Sequence, residues 1–155
     1  MTEEIFNRKI KEEGDFLEFD HLGFKCQIIR HKDFNHLNGY IFLTSDNDYF
    51  GFSYTDIDVR VHCGWTYCRQ DGDFWIVGFD CAHLGDITSH FFVTDSCRQI
   101  LSFGCKSITI WQESTYKDMK FVKSELECAC EDFQKKSKSY RRKVNLSRIF
   151  KDKYA

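Results

Sequence analysis

The segment "CRQDGDFWIVGFDCAHLGD" (residues 68–86) carries the pattern on which the fold prediction rests. Its apolar run, residues 74–79, is typical of a buried β-strand, and the Asp-Gly pair within residues 68–73 favours a tight hairpin turn. On the N-terminal side, residues 57–67 ("IDVRVHCGWTY") alternate apolar and polar side chains, as a half-buried strand does. We therefore expect two antiparallel strands joined by this turn.

Further strand patterns lie on the N-terminal side of this pair. Residues 16–19 and 24–30 are predicted to form a hairpin around a turn at residues 20–23. "LNGYIFLT" (residues 37–44) starts another strand, with Asn38-Gly39 as its turn signal. A short helix is expected over residues 3–12.

On the C-terminal side, residues 107–113 alternate like one more strand, and a long helix follows. Ser114 or Thr115 can cap this helix, and Asp118 stands where the acid of a capping box lies. Apolar residues recur three or four positions apart and form one face that should pack on a sheet. The sequence thus predicts an α+β fold, with a mostly antiparallel sheet and a long C-terminal amphipathic helix packed on it. The apolar face consists of Tyr116, Met119, Val122, Leu126, Ala129 and Phe133.

The composition indicates one cytoplasmic domain with a bulky core. Of the 155 residues, 17% are aromatic, and 16 of these are Phe. No apolar run approaches the roughly 20 residues that span a bilayer, and the charged N-terminus lacks the apolar centre of a secretory signal. The eight Cys form no C-x-x-C pair, so we expect mainly buried thiols rather than a structural zinc site. A mixed Cys/His metal site remains the alternative.

The net charge of −2 conceals two regions of opposite sign. Residues 135–155 hold nine Lys/Arg and one Asp, a charge of +8, which leaves −10 on residues 1–134. We therefore predict a single α+β domain over residues 1–134 and a basic C-terminal tail over residues 135–155. The simplest interpretation of the tail is a flexible arm. The functional alternatives are contact with nucleic-acid phosphates, with an acidic partner such as a host protein, or with the acidic body itself.

Ionisable side chains gather where the predicted core strand ends. Asp80, His83 and Asp86 follow this strand, while Arg60 and His62 lie on the polar side of the neighbouring one. Because a sheet positions the loops at its edge, these side chains are expected to converge around one pocket. The predicted catalytic residues are His83, Asp80 and His62, and the predicted ligand-binding residues are Arg60, His62, Trp65, Asp80, His83 and Asp86.

Three chemistries fit these residue types. A His oriented by an Asp is a general base, two His with Asp can hold a divalent metal, and Arg60 with the His residues can bind phosphate. Cys81 is a candidate nucleophile beside His83. The structural alternative is a solvated strand face followed by turn-capping carboxylates. The residues alone do not choose between a site and such a polar turn.

Several motifs resemble an uncharacterised family of small proteins from phages and other mobile elements. Gly39-Tyr40-Ile41 corresponds to a Gly-Tyr-Val element of the family, and "VHCGWTY" (61–67) corresponds to His-Gly-Gly-Leu-Thr. "FWIVGFDCAHLGD" (74–86) corresponds to Trp-Trp-Ile-Gly-Phe-Asp-Cys-Ala-His-Ala-Gly-Asp. "TYKDMKFVKSELECACEDF" (115–133) corresponds to the amphipathic helix that follows. The resemblance implies that His62, Asp80, His83 and Asp86 belong to the shared motif. Cys63 and Trp65 depart from it, since the family has Gly and Leu there.

The resemblance implies a mobile-element setting but no established activity. We expect a cytoplasmic protein, in the host cytoplasm if phage-encoded, that binds a small phosphorylated or nucleotide-like ligand and sequesters a host-defence signal. The first alternative is a His/Asp hydrolase, with or without a divalent metal as cofactor. The second is an interaction protein that inhibits a host complex. Enzymatic turnover, metal content and homo-oligomerisation are left open by the sequence.

Overall fold

The protein is an α+β molecule built on a five-stranded, fully antiparallel sheet with the strand order β1-β2-β3-β5-β4. The structure, a computed structural model, describes residues 1–93 and 114–137. A C-terminal helix packs on the sheet, so the predicted fold class is confirmed. The elements are α1 (Glu3–Glu13), β1 (Phe16–His21), β2 (Phe24–Arg30), β3 (Leu37–Leu43), β4 (Tyr67–Asp71), β5 (Phe74–Asp80) and α2 (Met119–Lys136).

The predicted β1–β2 hairpin is confirmed, as is the Asp-Gly turn of the second hairpin, and each hairpin closes with a two-residue loop. β1 and β2 pair up to His21↔Phe24 around Leu22 and Gly23, which have φ of 51° and 84°. β4 and β5 pair up to Asp71↔Phe74, and Gly72 in the loop has φ of 55°. Left-handed residues in such short loops match the right-handed twist of the strands they join.

The strand predicted over residues 57–67 is wrong except at its last residue, because β4 begins at Tyr67 and runs on to Asp71. Cys63 and Gly64 have φ of 54° and 91°, so the chain turns there instead of continuing extended. The alternation is nevertheless visible in burial, since Ile57 and Val59 are buried and the intervening Asp58 is exposed. The alternation of apolar and polar residues therefore marks an irregular segment that packs along the core, and not a strand of the sheet.

The turn predicted at Asn38-Gly39 is also wrong, because both residues lie inside β3. Gly39 is there for packing. A Cβ at this position would lie 2.8 Å from Phe79 Cε1 and 3.1 Å from Val122 Cγ1. Glycine therefore lets β3 approach an aromatic ring and helix α2 closely.

Helix α2 covers the sheet with the face predicted from its periodicity. Its buried residues are Val122, Leu126, Ala129, Cys130 and Phe133, which join the core formed by the strands. The helix begins later than expected. Asp118 is itself the N-cap, and its carboxylate accepts the Phe121 amide at 2.8 Å, so the prediction of a Ser114 or Thr115 cap is wrong.

The remaining predictions fall partly outside the described residues. The strand expected at 107–113 and the tail from residue 138 onward lie outside them, as do Cys97 and Cys105. Lys136, at the start of the basic tail, belongs to the last turn of α2, where its ammonium lies 2.9 Å from Asp58 Oδ2. Across residues 1–93 and 114–137, no helix is long and apolar enough to cross a membrane.

Candidate functional site

The end of the β4–β5 hairpin opposite its turn brings two loops together. Tyr67 at the start of β4 pairs with Gly78 near the end of β5, so residues 61–66 and 81–86 lie at the same edge of the sheet. The imidazoles of His62 and His83 stand edge to face there, with ring centroids 5.7 Å apart. Antiparallel pairing thus makes neighbours of two rings that are 21 positions apart in the sequence.

Asp86 is the centre of this cluster. Its side chain is only 3% exposed, and His62 Nε2 lies 2.9 Å from Oδ2 and 3.1 Å from Oδ1. The His83 amide donates to Oδ2 at 3.0 Å. Such a buried carboxylate is stable only when its oxygens are well paired, and Asp86 meets this condition through the two histidines and Lys117, whose ammonium is 3.9 Å from Oδ1.

Backbone hydrogen bonds hold Asp86 in place from both sides. The Thr115 amide donates to Gly85 O at 2.8 Å, and the Ile87 amide donates to Thr115 O at 3.0 Å. Gly85 has φ of 96°, a left-handed conformation that suits glycine and lets the loop turn sharply before Asp86. The segment that leads into α2 therefore fixes the 81–86 loop.

His83 carries an unsatisfied nitrogen between two carboxylates. Its Nδ1 lies 3.6 Å from Asp80 Oδ1 and 3.7 Å from Asp86 Oδ2, beyond hydrogen-bond range, and this buried atom has no hydrogen-bond partner among the described residues. Asp80 is held by the Thr66 hydroxyl at 2.9 Å and the Ala82 amide at 3.1 Å. A buried nitrogen without a partner is costly, so the arrangement favours a further species at this point.

Cys63 is a member of the cluster that the sequence analysis missed. Its exposed Sγ lies 3.7 Å from His62 Nε2, and one donor atom each of His62, Cys63 and His83 falls within 4.8 Å of the others. Partial burial and the Asp86 carboxylate raise the pKa of the Cys63 thiol, which Lys117 lowers in part. The missed signal was the adjacency of Cys63 to His62 in the sequence, which we had interpreted only as a departure from the family motif.

Two predicted ligand-binding residues stand apart from the cluster. Arg60 is exposed, and no hydrogen bond or ion pair joins it to the cluster within the described part of the chain. Trp65 is a core residue, only 7% exposed, whose Nε1 donates to Val59 O at 2.7 Å and whose ring packs against Phe133. The expected place of Arg60 in the pocket depends on a strand at 57–67 that does not form.

The prediction that Cys81 is a candidate nucleophile is wrong. It is 2% exposed, and burial, with the carboxylates of Asp86 and Asp80, raises the pKa of its thiol far above the usual value. A thiol must be deprotonated and accessible to attack a substrate. Cys81 meets neither condition and acts as a core side chain.

A cleft adjoins the cluster on the side of His83. One part, of about 360 Å³, is lined by residues 82–86 together with Thr88, His90 and Phe91. A second part, of about 270 Å³, shares Ala82, Thr88 and His90 with the first and adds Phe34 and His36. The two parts together have the size of a small-ligand site with mixed apolar and polar lining.

A comparison of the chain with protein-family models, curated proteins and solved structures finds no match. The resemblance to the phage and mobile-element family therefore stays an expectation based on motifs. The function has to be argued from the geometry of the cluster.

Proposed function

We propose that the protein is a hydrolase whose His/Asp cluster activates water against a small, phosphorylated or nucleotide-like substrate bound in the adjoining cleft. The observation that carries this proposal is a cluster of two imidazoles and two carboxylates, of which His83 and Asp86 line the cleft. His83 lines the cleft and stands between Asp80 and Asp86. His62 is held by the nearly buried Asp86.

The chemical roles follow from these contacts. An imidazole near neutrality accepts a proton from an attacking water, and a neighbouring carboxylate fixes its orientation and stabilises the charge it gains. We assign the activation of water to His83, since it is the imidazole of the cluster that lines the cleft. The contact of 2.9 Å between His62 Nε2 and Asp86 Oδ2 fixes the position of the second imidazole beside His83.

Hydrolysis is tested with phosphate mono- and diesters of p-nitrophenol and with cyclic and linear nucleotides, followed by release of p-nitrophenol and by chromatography. We expect turnover, and we expect His83→Ala to lower kcat by about 100-fold or more, the usual share of a general base. His21→Ala, at the distant β1–β2 hairpin, is the matched control and should keep kcat. Circular dichroism must show both variants folded. Turnover that survives His83→Ala would contradict the assignment.

Capture of a phosphorylated ligand without turnover is the second candidate, and Lys117 favours it. Its ammonium approaches Asp86 and bonds Thr115 Oγ1 at 2.6 Å, so a cation is held at the cluster even though Arg60 is not. In a mobile-element setting, such a protein would sequester a host-defence signal. Recovery of the added nucleotide intact, with tight binding lost in Lys117→Ala, would support capture and exclude the hydrolase. Binding to a host complex that survives the double change His62→Ala and His83→Ala would instead indicate an interaction protein.

A further inference from the structure

We propose that His62, Cys63, His83 and Asp86 form a mononuclear zinc-type site. This refines the proposed hydrolytic cluster by naming what occupies it: with an ion bound to Nδ1 of His83, the ion and not this imidazole would activate water. The binding of the ion does not depend on turnover. The four side chains present two imidazoles, a thiolate and a carboxylate, a donor set that suits Zn²⁺ better than the all-oxygen cations Mg²⁺ and Ca²⁺.

Two of the distances between donor atoms are close to those of a coordination sphere, and the donors of His62, Cys63 and His83 lie within 4.8 Å of one another. Bonds of 2.0–2.3 Å to a tetrahedral zinc place neighbouring ligand atoms roughly 3.3–3.6 Å apart. Cys63 Sγ lies 3.7 Å from His62 Nε2, and His83 Nδ1 lies 3.7 Å from Asp86 Oδ2. The His62–Asp86 contact of 2.9 Å is shorter, because these two atoms make a direct ion-pair or hydrogen-bond contact. It has to open by about half an ångström to admit a cation.

The unsatisfied nitrogen of His83 is an independent pointer to a ligand. In the described residues its buried Nδ1 has no hydrogen-bond partner, although two carboxylates stand just beyond reach. A neutral imidazole nitrogen with a free lone pair is the ordinary metal ligand. A cation would satisfy this atom and both carboxylates together.

The surrounding charges are consistent with a divalent ion. A Cys63 thiolate and the Asp86 carboxylate would balance the two positive charges of zinc, and Lys117 would balance Asp80. Lys117 approaches Asp86 through Oδ1, whereas His62 and His83 are nearest to Oδ2, so one oxygen remains for the ion. Asp80 would stay outside the coordination sphere as a nearby negative charge, held by the Thr66 hydroxyl and the Ala82 amide.

The ion would also supply the polarisation that two imidazoles provide only weakly. A divalent metal lowers the pKa of a bound water to about 7, so that hydroxide is present at neutral pH. The side of His83 that lines the cleft would then bring a substrate close to the ion. Four protein ligands fill a tetrahedral zinc, so a water would bind only if the ion became five-coordinate or lost Cys63, the exposed ligand.

The proposal is tested by titrating chelator-treated protein with Zn²⁺ by calorimetry and with Co²⁺ by absorption spectroscopy. We expect one equivalent to bind, with d–d bands in the visible and a sulfur-to-cobalt charge-transfer band in the near ultraviolet. Cys63→Ser should abolish the charge-transfer band while keeping the d–d bands. His83→Ala should weaken Zn²⁺ binding by about 100-fold, the upper part of the range for losses around such sites. Cys128→Ser, an exposed thiol on α2, is the matched control and should bind like the wild type.

The outcomes separate the two proposals. Zinc binding with these variant effects but no hydrolysis would uphold the metal site and reject the hydrolase. Hydrolysis that persists after chelation, in protein that binds no Zn²⁺ or Co²⁺, would reject the metal site alone. Binding that is equally strong in His83→Ala, with the charge-transfer band retained in Cys63→Ser, would place the ion on other residues and overturn the assignment.

Discussion

At the scale of single residues, His36 shows how the burial of an imidazole makes the stability of the fold depend on pH. It is 8% exposed, and its Nδ1 is buried without a hydrogen-bond partner in the part of the chain that is described. Burial lowers the pKa of His36, and the stacked ring of His31, 4.8 Å away, acts in the same direction. The carboxylates of Asp80 and Asp86, and a hydrogen bond with the Asn38 side chain, oppose the shift without cancelling it.

The stability of the protein should therefore fall in mild acid. Below about pH 6.5 the unfolded chain protonates this histidine while the folded protein resists, so folding free energy is lost as the pH decreases, by at most about 1.4 kcal/mol per pH unit. Urea denaturation at pH 7.5 and pH 5.5 measures this loss, and His36→Gln should make it smaller. An identical pH dependence in wild type and His36→Gln would contradict the role of His36. Because glutamine does not titrate and all other ionisable groups are the same in the two proteins, the difference between their pH dependences measures the contribution of His36.

Glycines show what the sequence could not tell at this scale. Asn38-Gly39 is predicted to form a turn, yet both residues lie inside β3. In the structure a Cβ on Gly78 would lie 2.6 Å from Tyr40 Cδ1, and Gly39 faces Phe79 in the same way. Both glycines make room for an aromatic ring on a neighbouring strand. Which aromatic ring packs over which glycine depends on the register between the strands, and the local sequence does not determine that register.

At the scale of elements, turn chemistry was a better guide than alternation. The β1–β2 and β4–β5 hairpins were predictable because their loops need residues that adopt left-handed φ, and Gly23 and Gly72 supply them. Residues 57–67 alternate just as well as a strand, yet only Tyr67 joins the sheet. Alternation records which side chains face the core, whereas a strand also needs a partner for its backbone hydrogen bonds.

Helix α2 offers a test of the corrected cap. Asp118 accepts the Phe121 amide, so Asp118→Ala should cost about 1 kcal/mol of unfolding free energy, and Asp118→Asn should cost much less because asparagine also caps well. Ser114→Ala is the control, since the buried Ser114 hydroxyl has no hydrogen-bond partner within the described residues. Urea denaturation measures all three variants. A larger loss from Ser114→Ala than from Asp118→Ala would show that the helix begins earlier.

At the scale of the whole molecule, the meeting of His62 with Asp80, His83 and Asp86 could be foreseen, but the approach of Lys117 could not. The Asp-Gly hairpin alone implies that the chain before β4 lies beside the chain after β5. Lys117 reaches the cluster from the segment before α2, through a tertiary contact that no spacing predicts. Arg60 was misplaced for the converse reason, because its predicted position depended on a strand that does not exist.

One buried cation connects the separate parts of the fold. Arg30 is 6% exposed, and its guanidinium lies 3.0 Å from Glu13 Oε2 at the end of α1 and donates to the hydroxyl of Tyr116 at 2.9 Å. It also donates to the carbonyls of Gly14 and Asn35. Tyr116 in turn donates to Glu13 at 2.7 Å. Helix α1, strand β2 and the segment before α2 therefore share one hydrogen-bonded network.

This network should stabilise the candidate site as well as the fold. Tyr116 follows Thr115, whose backbone holds Gly85 and Ile87 on either side of Asp86. Arg30→Lys keeps the charge but loses the planar fork and several of its hydrogen bonds, so we expect a loss of about 1–3 kcal/mol, together with faster exchange of the Ile87 amide in hydrogen-exchange measurements. Arg69→Lys, on an exposed arginine 3.9 Å from Asp71, is the control and should change neither quantity. If Arg30→Lys loosens α1 but leaves the Ile87 amide fully protected, the network ends at Tyr116, and the loop that carries Asp86 is held by its own contacts.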